Sequence, residues 1–181
     1  MIVTLTRQQM LQLWRRRLGL DFTTADATVE RFDGIDMDAC IESRMRSWYL
    51  DLLLNADPAR LQAVDLSMRV KAPVALQWGG GELFLPDDCV RPLSLSLRGW
   101  HRNVAVEQAD SPRGRDRLRL CVSKYSCPGP ADPLALQRGR RIIVAPVLSD
   151  EVDTFSAIID PGNGSYTLDE ALLDTIPDHL F

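Results

Sequence analysis

The hydrophobic period of this chain changes partway along, and that change limits its fold more than any other feature. Met10, Leu13, Trp14 and Leu18 recur at helical spacing, and Ile41, Met45, Trp48 and Leu52 repeat the pattern, with Tyr49 and Leu53 widening it. Further on, Leu93, Leu95 and Leu97 alternate with Ser94 and Ser96, the pattern of a strand with one wet face. A chain that segregates the two periods in this way is expected to be α+β. We expect an N-terminal helical unit packed with a mainly antiparallel β part and a short C-terminal helix. At 181 residues a single core is sufficient without disulfides or metals.

Local punctuation gives the boundaries. Thr6 and Gln9 form a capping box that opens a helix over 7–18, and Gly19 stops it. Arg15, Arg16 and Arg17 then fall in the last turn, where positive charge suits the helix dipole. A short helix is expected around Ala27 to Phe32, broken by Asp33-Gly34, and Asp36 or Asp38 caps a longer one over about 38–55. Asp57-Pro58 is a cap followed by Pro and predicts a further short helix through about Val64. Runs 74–78 and 82–85 flank Gly79-Gly80-Gly81 as a hairpin, and 90–100 is a strand with 104–108 as its antiparallel partner. Residues 110–116 read as a loop, whereas 118–125 fits strand or helix equally well. Strands are expected at 141–147 and 154–159, then a turn at 162–165. Thr167 and Glu170 form a second capping box that predicts a final helix over about 168–176. The units so defined are 1–66 (helical), 67–165 (β) and 166–181 (returning to the helices), integrated as one domain. Trp14, Met45, Trp48, Leu52, Leu95 and Leu97 should be largely buried.

Motif chemistry points away from catalysis. No nucleophile elbow, P-loop, dinucleotide fingerprint or H-E-x-x-H occurs. Gly79-Gly80-Gly81 lacks the Lys-Ser/Thr that would make it a phosphate cradle, and His101 has no acidic or nucleophilic neighbour in sequence. Asp33, Asp36 and Asp38 lack the later ligands of a calcium loop. Cys40, Cys89, Cys121 and Cys127 include no C-x-x-C pair, and we expect reduced thiols, no metal and no cofactor. Asn163-Gly164-Ser165 reads as a turn. No signal peptide, 18-residue apolar run or membrane association is expected.

Charge is sorted along the chain. Residues 110–141 carry 8 basic groups against 3 aspartates, whereas 142–181 carry 8 acids and no Lys or Arg. Of the 21 basic residues, 19 are Arg, which suits either a coding bias or a need for forked donors. Such sorting can be neutralised within the fold, can steer head-to-tail contact between copies, or can serve nucleic acid. For head-to-tail contact the candidate interface is Arg113, Arg115, Arg117, Arg138, Arg140 and Arg141 against Asp150, Glu151 and Asp153.

Leu85-Pro86-Asp87-Asp88-Cys89-Val90-Arg91 leads into the alternating strand and then Leu97-Arg98-Gly99-Trp100, after a helical unit that contains Trp48-Tyr49-Leu50-Asp51-Leu52-Leu53. With Tyr166 and Ile176-Pro177 closing the chain, this order of elements resembles the head–tail adaptor, tail-tubular or ring proteins of short-tailed phages, including crAss-like phages. The resemblance covers about two thirds of the chain through short motifs. It implies a structural virion protein, assembled in the host cytoplasm as a homo-oligomeric ring between portal and tail. Its partners would be other virion proteins, with DNA passing through the channel without sequence-specific contact. It carries over no catalytic residues. A nucleic-acid- or protein-binding module is the alternative, and a small enzyme with an unrecognised site the third.

Overall fold

A computed structural model describes residues 1–20, 36–121, 125–162 and 164–179. The short helix expected around Ala27 to Phe32, its break at Asp33-Gly34, and Asn163 lie outside the described residues. The protein is α+β, and its chain divides into two compact units. One comprises residues 1–62 with 160–181, the other residues 63–159.

In the first unit, β1 (Ile2–Thr6) runs into α1 (Arg7–Arg17), and α2 (Met37–Asn55) follows. The Thr6–Gln9 capping box forms, and Gly19 takes a φ of 65°, as a helix-ending glycine should. Asp36 rather than Asp38 caps α2 by accepting from the Ala39 amide. Asp38 instead takes the Arg15 guanidinium, at 3.2 and 2.5 Å. Asp57 does cap a turn, but that turn is a 3₁₀ helix of three residues, Pro58–Arg60. Val64 lies beyond it in a strand, because this segment pairs with a long partner far along the chain.

Two expectations for this unit fail, each for a physical reason. Trp48 and Leu52 are only half-buried, while Ile41, Met45, Tyr49 and Leu53 are buried. The core follows one i, i+4 ridge of α2, which winds about the helix and carries Trp48 and Leu52 to its flank. The expected helix start at Thr167 is β11 (Ser165–Asp169), which pairs antiparallel with β1 from Ile2↔Asp169 to Thr6↔Ser165. Its period is two: Tyr166 and Leu168 are buried and Thr167 is not. The Tyr49 hydroxyl fixes the outer edge of β11, donating to the Thr167 carbonyl at 3.3 Å and accepting from the Thr167 amide at 3.1 Å. The cap comes two residues later, where Asp169 starts a 3₁₀ helix, Glu170–Thr175.

The second unit is built from two sheets. One has the order β2 (Ala63–Asp65), β10 (Val152–Ile159), β5 (Cys89–Leu97), β6 (Val104–Ala105). The other has the order β3 (Val74–Ala75), β4 (Gly81–Phe84), β9 (Arg141–Ala145), β8 (Leu134–Arg138), β7 (Glu107–Gln108). The alternation of β5 is genuine at Leu95 and Leu97, but bulges against β10 leave Leu93 half-buried and Pro92 buried. Only Val104–Ala105 of the expected partner pairs with β5; Glu107–Gln108 joins the other sheet, parallel to β8. Leu83, Ala135, Ile142 and Val144 of one sheet and Leu95, Leu97, Phe155 and Ala157 of the other share one core. Leu134, Leu136, Ile143 and Ala145 face the opposite side, in a second cluster with Ala109 and Cys121. The five-stranded sheet is therefore covered on both faces, and β8 reads as a continuous apolar run.

The expected loop at 110–116 is instead largely α3 (Pro112–Leu120). The Ser111 hydroxyl accepts from the Gly114 amide and Pro112 occupies the first turn, two start signals that outweigh the density of charge. Gly114 is required here: a Cβ on it would lie 2.2 Å from the Gln108 carbonyl oxygen.

Candidate interaction surface

Most of the arginines singled out from sequence find partners inside their own unit. Arg141 donates to Glu82 at 3.0 Å and lies 5.1 Å above the Phe84 ring. Arg140 donates to the Pro86 carbonyl at 2.6 Å and to Asp87 at 3.3 Å. Arg117 donates to the Pro133 carbonyl at 3.0 Å and sits 3.5 Å from Asp132, while Arg113 is 3.4 Å from Glu107. On the acidic side, Glu151 pairs with Arg98. Four groups are left over: among the described residues, Arg115, Arg138, Asp150 and Asp153 make no ion pair, and all four are exposed. Arg138 stands directly opposite Arg141 at the tip of the β8–β9 hairpin, where like charges repel. The structure brings none of the six arginines into an ion pair with Asp150, Glu151 or Asp153.

The Leu85–Arg91 step owes its shape to the same pairing. The Cys89 amide closes a turn on the Pro86 carbonyl, Arg140 clamps that turn, and Asp88 takes both its bonds from Arg69, at 2.9 and 2.8 Å. At the far end of β5, Gly99 has a φ of 96° and Trp100 donates its indole N–H to the Pro146 carbonyl at 2.8 Å. This motif is a structural corner.

Several other chemistry-bearing groups are occupied or quenched. The Gly79 amide bonds to the Leu76 carbonyl and the Gly80 carbonyl accepts from Leu76, so the triple glycine closes a hairpin. Burial, helped by Asp88, pushes the Cys89 thiol up to about 11, and burial also raises Cys121 and Cys127. These cysteines are protonated at neutral pH and are poor nucleophiles. His101 is exposed. Among the described residues no group of three or more His, Cys, Asp or Glu side chains could hold a metal. No helix among them is long and apolar enough to cross a membrane.

Sequence reasoning missed the carboxylate partners of these arginines, since Glu82, Asp87 and Glu107 lie 59, 53 and 6 residues away. No local signal marks the first two. The chain matches no family model, no curated protein and no solved structure.

Proposed function

We propose that this protein acts by assembly, as a structural connector of a virion whose copies associate head to tail into a ring with other virion proteins as neighbours. The observation that carries this reading is the opposite charge of the two units. Residues 1–62 with 160–181 hold 8 basic and 14 acidic side chains, whereas residues 63–159 hold 13 basic and 11 acidic. A basic surface on one copy and an acidic one on the next favour a heterologous contact, which closes into a ring where the rotation allows. The unpaired Arg115 and Arg138 supply the positive side of that contact, and repulsion between Arg138 and Arg141 is relieved by an acid from outside. The order of motifs from the helical unit through Leu85–Arg91 to Gly99-Trp100 supports the virion setting, by resemblance to the ring proteins of short-tailed phages.

The test is native mass, with Arg115→Glu/Arg138→Glu as the variant, because neither residue makes an ion pair among the described residues. We expect a discrete ring for the parent, assembly that slows as salt rises, and a folded monomer for the variant. Equal oligomerisation by parent and variant would remove charge from the contact. A monomeric parent whose DNA affinity falls steeply with salt would transfer the reading to a nucleic-acid-binding module.

A further inference from the structure

The first unit holds a cavity of about 360 Å³ lined by two guanidiniums and two hydroxyls that can donate. One face of α2 supplies Ala39, Glu42, Ser43 and Arg46 at helical spacing, Arg7 comes from the start of α1, and Tyr166 comes from β11. Arg7 grips Glu42 through two nitrogens, at 2.9 and 2.6 Å, so both Glu42 oxygens are used. Arg46 is bound to Asp160 and to the Gly162 carbonyl, and the other Asp160 oxygen accepts from the Gly162 amide at 2.9 Å. Each guanidinium has five N–H groups, so both arginines keep spare donors.

Tyr166 completes the pattern. It is 2 % exposed and its ring packs edge-on against Tyr49 at 4.9 Å, yet its hydroxyl has no hydrogen-bond partner among the described residues. The hydroxyl oxygen itself still reaches solvent, where it is open to a ligand. Burial raises its pKa, so at neutral pH the phenol keeps its proton and remains a donor. The Ser43 hydroxyl is also unengaged among the described residues.

We propose that this cavity binds a small oxyanion-bearing molecule, a carboxylate or a phosphate, through the Tyr166 and Ser43 hydroxyls and the spare N–H groups of Arg7 and Arg46. Each carboxylate oxygen of Glu42 and Asp160 already accepts one hydrogen bond, whereas the Tyr166 and Ser43 hydroxyls and several guanidinium N–H groups have no partner among the described residues. An acceptor-rich anion would find up to four donor side chains. The volume lies at the lower end of small-molecule sites, which range over roughly 300–1,000 Å³. This inference is independent of ring assembly, since every group involved belongs to one unit of one copy.

The experiment titrates inorganic phosphate, and separately acetate, into the full chain at constant ionic strength, following the amide resonances of Ser43, Arg46 and Tyr166. Saturable shifts with either probe, weakened about tenfold in Tyr166→Phe, are expected, which is the size of one hydrogen bond to a charged group. The probe that saturates tells a phosphate ligand from a carboxylate. Phe retains the ring against Tyr49; should that variant misfold, Ser43→Ala on the exposed side of α2 must weaken binding instead. Linear drift with both probes, or unchanged affinity in the folded variant, overturns the proposal.

Discussion

The two units hold themselves together by different means. The first has little sheet, and its closure relies on polar clamps between residues far apart in sequence. The Met1 ammonium meets Asp169 at 2.8 Å, Arg17 meets Asp174 at 2.9 Å, Arg46 meets Asp160, and Tyr49 ties down Thr167. Its largest buried side chains are aromatic: Trp14, Tyr49 and Tyr166. The second unit closes through strand ladders around a mainly aliphatic core that includes Phe155, and its arginine pairs are exposed. Exposed ion pairs contribute only about 0–1 kcal/mol each, whereas a buried apolar side chain contributes several times that. The first unit should therefore answer to pH, and the second to loss of apolar volume.

The sharpest break of that comparison is Phe155→Ala. Phe155 is fully buried, and its amide bond to Asp65 survives the change. Truncation should cost about 3–5 kcal/mol in urea unfolding, read from amide resonances of the second unit. A loss below about 1 kcal/mol would mean that the aliphatic core collapses to fill the space, and that ladders rather than packing hold this unit.

Acid should separate the units next. In the first, the ammonium of Met1 and then the Ala171 amide hold the Asp169 carboxyl low. Burial pushes Asp160 up, but the Arg46 hydrogen bond and the Gly162 amide outweigh it, and the result is also lowered. In the second, the Ser67 and Phe155 amides lower Asp65. A carboxyl whose folded pKa is depressed adds stability above its unfolded pKa and loses it as pH falls through the folded value. All three contributions are thus present at neutral pH and fade below about pH 4. With two such groups against one, the first unit should lose more of its urea midpoint between pH 7 and pH 3. Equal losses followed by resonances of each unit would show that the clamps are decorative.

What could be read from the sequence follows the same division. Capping residues act within four positions, so α1, α2 and the start at Asp36 were legible. Long alternating or β-branched strands, β5, β9 and β10, were legible for their period. The ribbon of β1 and β11 was not, because its register depends on pairing residues more than 150 positions apart, and Thr167 with Glu170 imitates a capping box. Ser111-Pro112 did carry a start signal, hidden by the arginines that follow. For the candidate surface, the sorting of charge was visible and its neutralisation within the fold was one of the readings, but the individual partners were not legible. Arg140 and Arg141 find their acids across β4 and its following turn, and of the six arginines only Arg115 and Arg138 make no ion pair or side-chain hydrogen bond among the described residues.

The smallest effect concerns the aromatic core of the first unit. Trp14 and Trp48 meet edge to face at 5.8 Å, and both indole N–H groups are buried without an acceptor among the described residues. An unmet donor costs about 1–3 kcal/mol. In Trp48→Phe that cost disappears, and because Trp48 is only half-buried the lost apolar area is modest. The two terms oppose each other, and the variant should lie within about 1 kcal/mol of the parent. Trp14→Phe differs only in that Trp14 is fully buried, so the same relief is set against a cavity and the balance tips to a net loss. Thermal unfolding of the two variants side by side reads the difference. If Trp48→Phe costs more than about 2 kcal/mol, its N–H must be bonded in solution, and the first unit is held by one more polar clamp than the structure displays.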